Sequence, residues 1–107
     1  MTIADLYFQH IRERNLSGIV ALFAKDATFV MPDGRSLTGE AAVHDWFEKL
    51  FAMQTLTPRV AATVAGASCL AIEIENDLPD GTRRNTANFF HLNAAGLIER
   101  LHVYRRG

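Results

Sequence analysis

The sequence predicts an α+β fold in which a helical layer precedes an antiparallel meander, and three observations predict it. Apolar residues recur at helical spacing near the start of the chain and again over residues 43–51. From Thr57 onward, four runs rich in β-branched and aromatic residues follow one another across short turns. No repeat, linker or low-complexity tract interrupts them, so the 107 residues read as one domain, 1–107. Helices first and strands later is the order of an α+β domain.

Ile3, Leu6, Tyr7, His10 and Ile11 share one face of a first helix, and Thr2 with Asp5 resembles a capping box. Asn15 is placed to cap a short second helix with Leu16, Ile19, Val20 and Phe23 on one face. Ala27 to Met31 read as a strand. Pro32-Asp33-Gly34 turns it into a short return, Arg35 to Leu37. Thr38 is placed to cap a third helix, which Gly39 opens and whose stripe is Val43, Trp46, Phe47, Leu50 and Phe51. Strands follow at Thr57–Ala65, Ser68–Asp77, Thr82–Asn93 and Leu97–Arg105, with Pro58 tolerable near a strand start.

The turns set the register. Pro79-Asp80-Gly81 suits a three-residue hairpin loop that pairs Leu78 with Thr82, Ile72 with Asn88 and Leu70 with Phe90. Ala94-Ala95, read as a two-residue loop, pairs Asn93 with Gly96, Asn88 with Leu101 and Phe90 with Glu99. One face then carries Leu70, Ile72, Ile74, Asn88, Phe90, Glu99, Leu101 and Val103, and meets the helices. The other carries Ala71, Glu73, Glu75, Ala87, Phe89, His91, Ile98, His102 and Tyr104. A slip of one residue exchanges the two sets. Phe89, Ile98 and Tyr104 would stand in water on a lone chain, so a homodimer through this outer face is expected.

Lys and Arg total 11 against 12 Asp and Glu, a net charge of -1, which gives no general attraction to nucleic acid or anionic membrane. Arg83-Arg84 and Arg105-Arg106 are too small for a nucleic-acid footprint, and charge balance, such as Asp77 opposite Arg83, is their expected role. No apolar stretch approaches the ~20 residues of a membrane span, and no signal-peptide core is present, so a cytoplasmic location is expected. The single Cys69 reads as a buried thiol. His10, His44, His91 and His102 lack ligand-like spacing, so no metal is expected. No nucleophile elbow, phosphate loop or HExxH motif occurs, and no cofactor is expected.

Leu22-Phe23-Ala24-Lys25-Asp26-Ala27-Thr28 running to Pro32, Gly39, and Phe90-His91-Leu92-Asn93 through Gly96-Leu97-Ile98 resemble the nuclear transport factor two-like superfamily. Within it, the chain is similar to the SnoaL-like polyketide cyclase and ketosteroid isomerase branch over essentially its whole length. The resemblance implies a cystatin-like cone: a curved antiparallel sheet wrapped around a long helix, with N-terminal helices and an apolar pocket open at one end. It also implies dimers through the outer sheet face. It places Tyr7 at the isomerases' oxyanion-binding tyrosine, Asn88 at their protonated acid and Met31 at their aspartate base. A thioether takes up no proton, so steroid isomerisation by that mechanism is not expected.

Tyr7, Asn88 and Glu99 are therefore the candidate catalytic groups. Tyr7 and Asn88 would stabilise an enolate and Glu99 would move the proton. Each has a plainer alternative. Tyr7 would be a core tyrosine, Asn88 would pair internally, and Glu99 would sit at a rim, in a salt bridge to Arg84 or Arg100, or in a slipped register. Phe29, Met31, Trp46, Phe47, Ile72, Phe90 and Leu101 are the expected pocket walls. The expected function is binding of a small apolar molecule, with isomerase, cyclase or lyase chemistry beside a carbonyl if there is any. The alternative is a non-catalytic dimerisation or ligand-sensing module.

Overall fold

The computed structural model describes residues 2–53, 57–78 and 80–106. Helix α1 (Ile3–Glu13) begins at a complete capping box. The Asp5 N–H donates to Thr2 Oγ1 at 3.2 Å, and the Thr2 N–H donates to the Asp5 carboxylate at 2.9 Å. Arg14 ends it in the left-handed region, with φ 56°. Asn15 accepts from the Gly18 N–H at 3.0 Å and opens α2 (Leu16–Val20). Phe23, expected on that helix, starts β1 (Phe23–Val30) instead, because its backbone is claimed by the sheet opposite Ile98. Strand β2 (Ser36–Thr38) folds back on β1. Thr38 pairs with Thr28 there rather than capping α3 (Glu40–Met53), which follows Gly39.

Strands β3 (Thr57–Ala65), β4 (Cys69–Asp77), β5 (Arg83–Leu92) and β6 (Ile98–Arg106) form the expected meander. All six strands make one curved, open sheet in the order β2-β1-β6-β5-β4-β3. Every neighbouring pair is antiparallel except β1 with β6, which is parallel. Local turn signals could not reveal that pair, because its partners lie far apart in the chain.

The β4–β5 register is the expected one, with Ile72 opposite Asn88 and Leu70 opposite Phe90. The Leu78 N–H bonds the Thr82 carbonyl at 2.8 Å, and Gly81 has φ 87°. Pro79 of that loop lies outside the described residues. The β5–β6 register differs. Asn93 Oδ1 accepts from the N–H groups of Ala95 and Leu97, both at 3.0 Å, and this side-chain turn stabilises a three-residue loop. Its Gly96 lies at φ 82°, and the Asn93 N–H pairs with the Leu97 carbonyl at 2.9 Å. Leu92 then faces Ile98 and His91 faces Arg100, so Glu99 is bulged out. Asn88 consequently faces Val103 and Phe90 faces Leu101.

The core lies between the helices and the inner sheet face. Phe47, Phe90, Ile19, Ile74, Ile98, Leu101 and Val43 are its largest fully buried side chains. Ile98, expected on the outer face, is among them because the bulge reverses its direction relative to the rest of β6. Outside, Phe89 meets Tyr104 edge to face at 5.6 Å, and His91 meets His102 at 5.7 Å. Cys69 is half-buried. Asp77 accepts from Arg83 at 3.3 Å, as expected from their pairing, and also from Arg59. No helix among the described residues is long and apolar enough to cross a membrane.

Candidate functional site

A cavity of about 530 Å³ lies under the sheet, bounded by α1, α3, the turn after β1 and the inner face of β4, β5 and β6. Phe8, Ile11, Phe29, Met31, Trp46, Phe47, Leu50, Ile74 and Val103 supply its apolar walls. Tyr7, Asn76, Thr86 and Asn88 supply neutral polar groups. Exposed Pro32, Asp33, Arg35 and Arg105 mark its mouth.

Tyr7 reaches the cavity from the buried stripe of α1. Its ring is held edge-on by Phe8 at 5.0 Å, Phe90 at 5.1 Å and Phe47 at 6.0 Å. Only 4% of the residue is exposed, and burial pushes its pKa well above the ordinary tyrosine value. The phenol therefore stays protonated as a donor, and no hydrogen bond engages it among the described residues. Asn88 projects from the inner face of β5 and is also 4% exposed. Its Nδ2 donates to Thr86 Oγ1 at 3.1 Å, two residues along the same face. An amide has more hydrogen-bonding capacity than that single bond uses. Asn76 Oδ1, also on the lining, is buried and unpartnered among the described residues.

Met31 is buried on the lining. Its Sδ lies 3.8 Å from Arg35 Nη2 and its N–H bonds the Arg35 carbonyl at 2.8 Å. Among the described lining residues Asp33 is the only carboxylate. It accepts from the Arg35 N–H at 3.0 Å and from Arg35 Nε at 2.7 Å. The backbone bond first, and the guanidinium after it, hold its pKa below the usual value. An ionised carboxylate so engaged is a weak proton acceptor.

Tyr7, Phe29, Met31, Trp46, Phe47 and Asn88 thus share one hollow. Four other expected positions do not line it. Glu99 is exposed and outside the cavity, because the three-residue loop and the bulge move it out of the inner alternation. Ile72, Phe90 and Leu101 are on the inner face but lie within the packed core. Tyr7 and Phe8 cover Phe90, and Leu101 is pinned in the sheet between Phe90 and Phe29. Asn76, Arg84, Thr86 and Arg105 are lining residues outside the expected set. Their signal was the same alternation continued toward the hairpin end of the strands.

His44, Asp45 and Glu48 bring possible ligand atoms within 4.8 Å of one another on α3, away from the cavity lining. Two of the three are exposed, and His44 Nδ1 lies 3.7 Å from Asp45 Oδ1, an ordinary surface arrangement.

The family model for the SnoaL-like domain matches residues 4–101. Among solved structures, the epoxide hydrolase/cyclase-like enzyme SalBIII, described in pyran ring formation in the polyether salinomycin, is similar at TM-score 0.85 and 23% identity. The match covers 97% of this chain and 88% of that one. A candidate ketosteroid isomerase from Kribbella flavida DSM 17836 gives TM-score 0.87 and 21% identity over 98% and 76% of the two chains. A protein with a cystatin-like fold from Methylobium petroleophilum PM1 gives 0.85 and 18% over 98% and 74%. At these identities the likeness is one of fold. Among functionally curated proteins, none matches the chain.

Proposed function

The chain belongs to the SnoaL-like domain family, and on that premise we propose that it binds a small apolar or aromatic molecule in the cavity beneath its sheet. The observation that supports this reading is the meeting of Tyr7 and Asn88, from different elements, at one apolar hollow. Ligand sites are mostly apolar concavities with a few convergent polar groups, and about 530 Å³ falls within their usual size. The test is thermal stabilisation by a panel of ring ketones, phenols and aromatic acids. A binder should stabilise the chain by about 2.7 kcal/mol at a hundredfold excess over its dissociation constant. Thr86→Phe, which fills the hollow, should abolish the effect. A panel without binders, or stabilisation that survives Thr86→Phe, would overturn the reading.

The unpartnered Tyr7 hydroxyl favours a second reading, in which a bound carbonyl is polarised for isomerase, cyclase or lyase chemistry. That chemistry would run without Glu99 and with a thioether at position 31. Turnover of a ring ketone or epoxide that vanishes in Tyr7→Phe would carry it, and binding without turnover would leave a binding module. We propose further that two copies pair through the outer sheet face. There Phe89 and the 56% exposed Tyr104 present aromatic surface. Sedimentation should show a dimer that Tyr104→Glu weakens, whereas a monomer at all concentrations would contradict the pairing.

A further inference from the structure

We infer that the ligand carries a carboxylate, held at the cavity mouth by Arg84 and Arg105 while its apolar body points inward. This inference rests on the ligand-binding reading above and narrows its ligand class. Three arginines and one aspartate line the cavity, a net charge of +2 (three minus one) in a chain whose net charge is -1. Arg35 is committed to Asp33 at 2.7 Å. Arg84 and Arg105 have no carboxylate within 4.0 Å among the described residues.

The two faces of the same sheet differ in this respect. On the outer face, Arg59 pairs with Asp77, and Arg83 pairs with Glu75 at 3.1 Å and Asp77 at 3.3 Å. On the inner face Arg84 and Arg105 have no such contact among the described residues, and Arg84 acts only at longer range on the Asp80 carboxylate, whose pKa it helps to lower. Arg105 is directly opposite Thr86, and Arg84 lies two residues from Thr86 on the same face. The two arginines are therefore diagonal cross-strand neighbours, a spacing that long side chains close around one anion. Guanidinium forks match carboxylate oxygens in geometry and charge. Asn76, directly opposite Arg84, adds a buried unpartnered acceptor for a ligand hydroxyl. Deeper in, Trp46 and Phe29 face the apolar body, and Tyr7 and Asn88 face its far polar atom.

The test is calorimetric titration of the whole chain with three acids and their neutral primary amides: cyclohexanecarboxylate, 1-adamantanecarboxylate and 2-naphthoate. At least one acid should bind tenfold or more tightly than its amide at low salt. Arg84→Gln and Arg105→Gln should each remove most of that preference by weakening the acid far more than the amide, and 0.5 M salt should shrink it. Acid and amide binding with equal affinity would overturn the anion inference and leave the ligand-binding reading standing. An acid preference untouched by both substitutions would overturn the placement. Failure of all six compounds to bind would overturn both readings.

Discussion

Tyr7→Phe separates a tyrosine kept for the core from one kept for a ligand. The substitution removes a single oxygen from a side chain that is 4% exposed and whose hydroxyl has no hydrogen-bond partner among the described residues. Leaving a buried hydroxyl unpaired costs about 1–3 kcal/mol, and water in the cavity recovers part of that. The variant should therefore be more stable by about 0.5–1 kcal/mol, a rise in Tm of about 2–8 °C for a domain this small. Urea titration at pH 7 measures it directly. The same titration repeated above pH 10 gives a second reading. Burial raises the folded pKa above the unfolded one, so the unfolded phenol loses its proton first. Wild-type stability then falls as pH rises past 10, by at most about 1.4 kcal/mol per unit, and Tyr7→Phe removes that contribution. A variant destabilised by more than about 1 kcal/mol would refute the reasoning by giving the hydroxyl a protein partner, and one with the full wild-type alkaline decline would refute it by assigning that decline to other groups.

Phe47 is fully buried and touches Tyr7, Phe23, Phe29 and Phe51 within about 6 Å, so Phe47→Ala should cost about 3–5 kcal/mol in denaturant unfolding. Gly96→Ala meets no atom within 4 Å, yet its φ of 82° is hostile to a side chain, and calorimetry should show a loss of about 1–2 kcal/mol. Glu99→Gln should change stability by less than about 0.5 kcal/mol and leave ligand affinity unchanged, as befits an exposed bulge residue.

Much of this fold is legible in the sequence because its signals are local. The Thr2–Asp5 box, the Asn15 cap and the Gly81 loop each announce themselves within three or four residues, and each is present. The register of β4 on β5 follows from that loop, and with it the place of Asn88 on the inner face. The next hairpin hides its signal in a side chain. Asn93 folds over the backbone of Ala95 and Leu97, lengthens the loop by one residue and forces a bulge. That one residue carries Glu99 out of the pocket and Ile98 into the core. The pairing of β1 with β6 is likewise invisible locally, since no turn joins them. Whether an inner-face residue lines the cavity or packs behind its wall depends on what covers it. Phe90 and Leu101 share the inner face, but the rings of α1 and the neighbouring strands bury them.

Trp46 is the only tryptophan in the chain and stands on the cavity wall, which makes it a built-in reporter. The most direct measurement is an intermolecular NOE spectrum of the chain saturated with its best-binding small molecule. Cross-peaks from the ligand to the Trp46 indole, the Phe29 ring and the Asn88 side-chain amide are the predicted result. Cross-peaks confined to Phe89 and Tyr104 on the opposite sheet face would contradict it.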